Sequence, residues 1–144
     1  MKKIFIAALL AVTVAGSAFA ADANKLSYRV KSNFETLFDG AKDVNWTIRE
    51  SFTKANFTLA GEKVEAFFNP EGELIATARK VQYGTLPFSA LQKIQKKFPD
   101  AKVEDAIEFD QEGDKNYFVS LNNNGKKEIL QVSLSGTVTV FKTK

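Results

Sequence analysis

The chain has 144 residues, 44% apolar, 26% charged and 12% aromatic, which is the composition of a globular domain rather than a disordered or fibrous one. It contains no Cys and no His, so disulfides, thiol nucleophiles, imidazole bases and the commonest metal ligands are excluded. The formal charge of +3 includes Lys2 and Lys3; beyond residue 20 there are 18 basic against 17 acidic side chains, no footprint for nucleic acid.

The first twenty residues read as an address. Lys2 and Lys3 precede an apolar run from Ile4 to Val14, and small residues lead to Ala18-Phe19-Ala20. That is the charged region, short hydrophobic region and A-x-A site of a secretory signal peptide, with cleavage expected after Ala20. The run breaks at Gly16 and Ser17, short of the roughly twenty apolar residues a membrane helix needs. Without Cys no lipid can be attached. No second hydrophobic segment follows, so the mature chain, 21–144, is expected to be soluble, without a membrane span, and periplasmic or secreted.

Asn24 opens a helix predicted over about 24 to 38, in which Leu26, Val30, Phe34 and Leu37 form one apolar face and Asp39-Gly40 forms the stop. Alternation follows: Val44, Trp46, Ile48; then Ala55, Phe57, Leu59; then Val64, Ala66, Phe68; then Leu74 and Ala76. These read as four strands joined by turns at Ala60-Gly61-Glu62 and Asn69-Pro70-Glu71-Gly72.

The order then repeats. Thr85 and Pro87 open a second helix, about 86 to 98, with Leu91, Ile94 and Phe98 on its apolar face and Pro99 at its end. Alternation resumes at Val103, Ile107, Phe109; Tyr117, Val119, Leu121; Leu130, Val132, Leu134; and Val138, Val140, with Asn124-Gly125 as a hairpin turn. A shift of 60 superposes Phe38, Ala41 and Lys42 on Phe98, Ala101 and Lys102, and a shift of 64 superposes Gly61 and Gly72 on Gly125 and Gly136. The expected fold is therefore α+β: a duplicated unit of one helix and a four-stranded antiparallel sheet, with the helices packed on one sheet face. The repeats are expected over about 24–82 and 85–144.

The stretches FETLFDGAKDVNW, AFFNPEGELIATAR and LPFSALQKIQKKFPDAKVEDAIEF resemble the PepSY-like, or β-lactamase-inhibitor-like, domains of exported bacterial proteins. The resemblance covers the mature chain. It rests on Ala41 to Trp46, Gly72, Leu86-Pro87, and Phe98-Pro99 before Ala101. It implies a duplicated helix-plus-sheet unit, an envelope or secreted location, and a role in binding; it implies no catalytic residue.

Several motifs imitate chemistry. Ser51-Phe52-Thr53-Lys54 matches the S-x-x-K of penicillin-recognising enzymes, but it joins two strands and lacks the companion motifs; both polar residues are expected to be solvated. Asp110, Glu112 and Asp114 alternate like a calcium loop, but Gly113 and Leu121 stand at the wrong positions, leaving a charged β-turn. The remaining carboxylates fall on turns and outward strand positions, and Lys93, Lys96 and Lys97 read as a solvated helix face. No catalytic or metal-ligating residue and no cofactor is expected.

The informative residues are apolar ones on the wrong parity. Phe67, Ile75, Phe118 and Ile129 point away from the helix-facing alternation. A sheet with helices on one side ordinarily shows water a polar face, so these four are expected to form an exposed patch that docks an unidentified envelope protein or peptide. The expected function is thus a non-catalytic binding or inhibitory module. The alternatives are a small-ligand carrier or a carboxylate-dependent hydrolase, which would show a pocket with two convergent carboxylates.

Overall fold

Apolar side chains four residues apart, Val30 and Phe34, give the first helix its buried stripe. The computed structural model describes residues 25–141, and in it α1 spans Tyr28–Leu37 with Ser27 at its N-cap. The helix thus begins later than the periodicity predicts; Asn24 and the expected signal peptide lie outside the described residues. The strands follow as β1 (Lys42–Ile48), β2 (Thr53–Leu59), β3 (Glu62–Phe68) and β4 (Leu74–Lys80). A 3-10 turn at Tyr83–Thr85 leads to α2 (Phe88–Lys97), and β5 (Lys102–Gln111), β6 (Asp114–Asn123), β7 (Lys126–Ser133) and β8 (Val138–Val140) complete the order. The N-cap of α2 is Pro87; the Thr85 hydroxyl instead donates to the carbonyl of Gln82 at 2.7 Å.

Turn chemistry makes neighbouring strands antiparallel. Ala60-Gly61, Glu112-Gly113 and Asn124-Gly125 each place two consecutive residues at positive φ, the two-residue geometry whose twist matches that of the strands. The eight strands form one sheet in chain order. The two units are fused because β4 pairs with β5, Ala78 opposite Phe109 and Arg79 opposite Glu108.

The duplication reaches atomic detail. Phe38 N–H donates to Phe34 O at 2.9 Å and Phe98 N–H to Ile94 O at 2.8 Å, then Ala41 N–H to Phe38 O at 3.1 Å and Ala101 N–H to Phe98 O at 3.2 Å. The turn after the third strand of each unit docks on its helix. Asn33 Nδ2 donates to Gly72 O at 2.6 Å, and Lys93 Nζ to Gly136 O at 2.9 Å. Lys93 thus lies on the exposed helix face together with Lys96 and Lys97 and also docks the turn.

Both helices lie on the same face of the sheet. α1 covers Ala55, Phe57, Ala66 and Phe68; its Phe34 ring sits edge-on to Trp46 at 5.0 Å and Phe57 at 4.9 Å, favourable aromatic geometry. α2 covers Ala106, Val119, Leu121, Leu130 and Val132. Two register shifts change the expected alternation. Phe67 pairs with Ala76 but Phe68 with Leu74, so Ile75 is an extra residue and Ala76 joins the face away from the helices. A second shift between Val103 and Asp105 leaves Val103 with α2 and sends Ile107 and Phe109 to the opposite face. A bulge reverses parity downstream of itself, which period-two reading cannot register.

Gly72 and Gly61 both have positive φ, but a Cβ at Gly72 would stand 2.7 Å from Cβ of Arg29, whereas at Gly61 it would meet nothing within 4 Å. Gly61→Ala is expected to cost about 1 kcal/mol from backbone strain. Gly72→Ala is expected to cost about 2 kcal/mol or more, because α1 must also shift. Urea denaturation of the two variants checks the difference; equal losses would mean that the helix contact is slack.

Candidate functional site

The face away from the helices carries a third apolar cluster: Phe52, Phe67, Ala76, Ala78, Ile107, Phe109 and Phe118, with Ile75, Ile129 and Phe141 packed against it. All four sequence-predicted residues are therefore on this face, and the fold brings them into one cluster. Their expected exposure is corrected for two of them. Phe67 is 0% and Phe118 3% exposed, while Ile75 and Ile129 are half-buried.

Packing across the strands explains part of that burial. The backbones of β3 and β5 stand two strand spacings apart, about 9.5 Å, yet the rings of Phe67 and Phe109 are 6.4 Å apart. Ala76 and Ala78 occupy β4 between them, and these short side chains let the rings lean together. Phe109 continues to Phe118 at 6.0 Å, Phe118 to Phe141 at 5.3 Å, and Phe67 to Phe52 at 5.9 Å. An aromatic row thus runs from the first unit into the second. Sequence reading missed Phe52, Phe109 and Phe141: Phe109 was masked by the β5 register shift, and Phe52 and Phe141 lie just outside strands.

Polar groups border this floor. Asn45, Asn56, Glu65 and Ala78 face one another in sequence across β1 to β4, and a groove of about 480 Å³ opens beside them, reaching Ile107. Lys54 does not extend into solvent as its motif suggested. Its side chain is buried, and Nζ lies 3.1 Å from Oε1 of Glu65. Ser51 is exposed on the β1–β2 connection, so the S-x-x-K residues do not assemble a nucleophile and base. At the β5–β6 turn, Asp110 Oδ1 accepts the N–H of Gly113 at 3.0 Å, consistent with a charged β-turn. Among the described residues no three acidic side chains are grouped to hold a metal ion.

Glu108 has a distinct environment on the other face. Burial acts to raise its pKa, but hydrogen bonding and charge from Arg79, with Lys115 adding to them, hold it below its ordinary value of 4.5. Arg79 Nε and Lys115 Nζ approach Oε1 at 3.1 and 3.5 Å, and Arg79 Nη1 also reaches Glu62 at 2.8 Å. A carboxylate kept ionised this way suits an inter-unit clamp rather than a general acid.

No family model and no curated protein matches the chain. Solved structures share its fold. A DUF2874 family protein from Bacteroides ovatus superposes with a TM-score of 0.72 at 16% identity, over 83% of this chain and 89% of its own. A BLIP-like protein from Bacteroides fragilis gives 0.69 at 17% identity over 82% and 89%. A protein from Bacteroides eggerthii described as periplasmic gives 0.71 at 15% identity over 78% and 84%. What is shared at these identities is the architecture: this duplicated helix-and-sheet arrangement.

Replacing Phe67 or Phe118 by Ala is expected to cost about 3–5 kcal/mol, as for a buried core aromatic. A urea midpoint close to that of the unchanged protein would show that the rings contribute little to folding. Because the folded pKa of Glu108 is depressed, its stabilisation is present above the unfolded value and is lost as pH falls through the folded one. The stability gap between the unchanged protein and Glu108→Gln should accordingly narrow between about pH 7 and about pH 3. A pH-independent gap in urea midpoints would contradict this.

Proposed function

We propose that the protein is an exported, non-catalytic binding or inhibitory module that engages a protein or peptide in the cell envelope through the face bearing Phe67, Ile75, Phe118 and Ile129. The observation that carries this reading is the contiguous aromatic cluster on the sheet face that bears neither α-helix. In a sheet covered by helices on one side, the other side is ordinarily polar. Phe67 and Phe118 form the floor, and the half-buried Ile75 and Ile129 provide the contact margin. The groove beside Asn45, Asn56 and Glu65 supplies polar groups of the kind that surround an apolar interface centre.

Further support comes from three directions. The leader-like segment ending at Ala20 favours export, with a mature chain of 21–144 whose repeats cover about 24–82 and 85–144. The likeness in fold to a BLIP-like protein and to a protein described as periplasmic agrees with the PepSY-like, β-lactamase-inhibitor-like resemblance of the sequence. The absence of His and Cys from the chain and the neutralised environment of Glu108 favour binding over hydrolysis. Among the described residues no helix is long and apolar enough to cross a membrane.

The test separates margin from floor. Ile75→Asp combined with Ile129→Asp should leave a cooperative thermal transition, while an envelope protein retained by the unchanged mature chain should bind the variant at least about tenfold more weakly, about 1.4 kcal/mol. Retention of the same partner with unchanged affinity would move the site off this face.

A further inference from the structure

The second unit displays a strand seated on the outer side of a unit's first strand. β4 runs antiparallel to β5, with Arg79 opposite Glu108 and Lys80 opposite Ile107, and Val81 N–H donates to Ala106 O at 2.9 Å. The chain beyond β4 then places Val81 and Tyr83 against the α2 cluster. Burial raises the Tyr83 hydroxyl above its usual pKa of 10.0.

Among the described residues the first unit has the same edge without that neighbour. Through their partners on the next strand, Trp46, Thr47 and Ile48 of β1 correspond to Ala106, Ile107 and Glu108 of β5. Among the described residues no strand lies on the outer side of β1. A cleft of about 340 Å³ opens there between α1 and β1, with Phe34, Phe38, Val44 and Trp46 in its wall and Lys31, Glu35 and Asp39 also lining it. Sixty residues before Val81 and Tyr83 the sequence has Ala21 and Ala23, two methyl groups in place of an isopropyl group and a phenol.

Charge defines the occupant. In the fused pair, Arg79 is answered by Glu108 at 3.1 Å and Lys80 by Asp105 at 3.2 Å. The corresponding β1 positions hold Ile48 and Asn45, and no residue from Val44 to Ile48 is charged. Edge strands ordinarily carry Lys, Pro or brevity against unwanted pairing. β8 has that brevity, three residues; β1 has Lys42 and a register shift between Lys42 and Asn45 at its start, but from Val44 to Ile48 it carries neither charge nor Pro. A cationic strand resembling β4 would lose its counter-charges here, whereas a neutral one with apolar residues opposite Ile48 and Trp46 would not.

We propose that the outer edge of β1 receives an extended, uncharged segment of a partner protein, antiparallel to β1, which continues the sheet as β4 does beside β5 and places a large apolar side chain in the α1–β1 cleft. Main-chain hydrogen bonds would supply affinity and the cleft specificity. This docking edge lies apart from the aromatic row, with Asn45 bordering both the edge and the groove beside that face.

The chain has one Trp, so Trp46 emission reports on this edge directly. The probe is a synthetic peptide of residues 75–84 carrying Arg79→Ile and Lys80→Thr. It should change Trp46 emission saturably, bind at least tenfold more tightly than the unsubstituted 75–84 peptide, and weaken at least fivefold when Tyr83→Ala is added to it. In the protein, Thr47→Lys should abolish binding; Asn45→Lys, at an exposed position, should do the same if the first variant folds poorly. Absence of saturable binding, or binding that survives both variants, would overturn the proposal. So would a dimer of the free protein in sedimentation equilibrium that Thr47→Lys dissolves, since the edge would then belong to a second copy.

Discussion

Pairing of β4 with β5 is the constraint on which the rest of the molecule depends. Each unit alone would be a four-stranded sheet with one helix, and its helix-free face would hold only a few apolar side chains. Joining the units edge to edge places Phe52 and Phe67 of the first in one cluster with Phe109 and Phe118 of the second. Charge reinforces the seam, since Arg79 spans Glu62 and Glu108, and Lys80 reaches Asp105. Arg79 and Lys80 are substantially exposed, so these ion pairs contribute little to net stability. Their effect is on register: sliding β4 by one residue would oppose the wrong charges and turn Ala78 away from Phe109.

A chain without Cys has to hold its helices by packing and by backbone contacts. Both units use the same device. The turn after the third strand presents a glycine carbonyl to the helix side chain, Asn33 in one unit and Lys93 in the other. The approach is close enough that a Cβ at Gly72 would strike Arg29, and one at Gly136 would strike Ser89. A different donor on the same geometry preserves docking while the sequences of the two halves diverge.

The two units differ where function is sought. In the second, the first strand is covered by β4 and the adjoining space takes Val81 and Tyr83; in the first, the equivalent edge is uncharged from Val44 to Ile48 and no described strand covers it. The aromatic face belongs to both units at once. The duplicated fold therefore presents one surface created by fusing the repeats and another at the β1 edge, where no described strand lies. Neither depends on a titrating side chain.

Local pattern determined much of this protein. Val30 and Phe34 of the first helix and Ile94 of the second follow from side-chain periodicity, which did not single out Ala90, and the turns at Gly61 and Asn124-Gly125 follow from residues that favour positive φ. The duplication was legible in the matched helix ends and turn glycines. So was the face assignment of Phe67, Phe118 and Ile129, because strand parity is a property of adjacent residues; Ile75 reaches the same face together with its neighbour Ala76 at a register shift, where parity does not hold. Tertiary structure alone decided that Phe67 and Phe118 are buried, since burial depends on strands distant in sequence and on the small Ala76 and Ala78 between the rings. It also decided the side taken by Ile107 and Phe109, because the shift between Val103 and Asp105 is defined only against β6. The fusion itself was hidden for the same reason: which edge strand meets which is a long-range choice, and no local period encodes it.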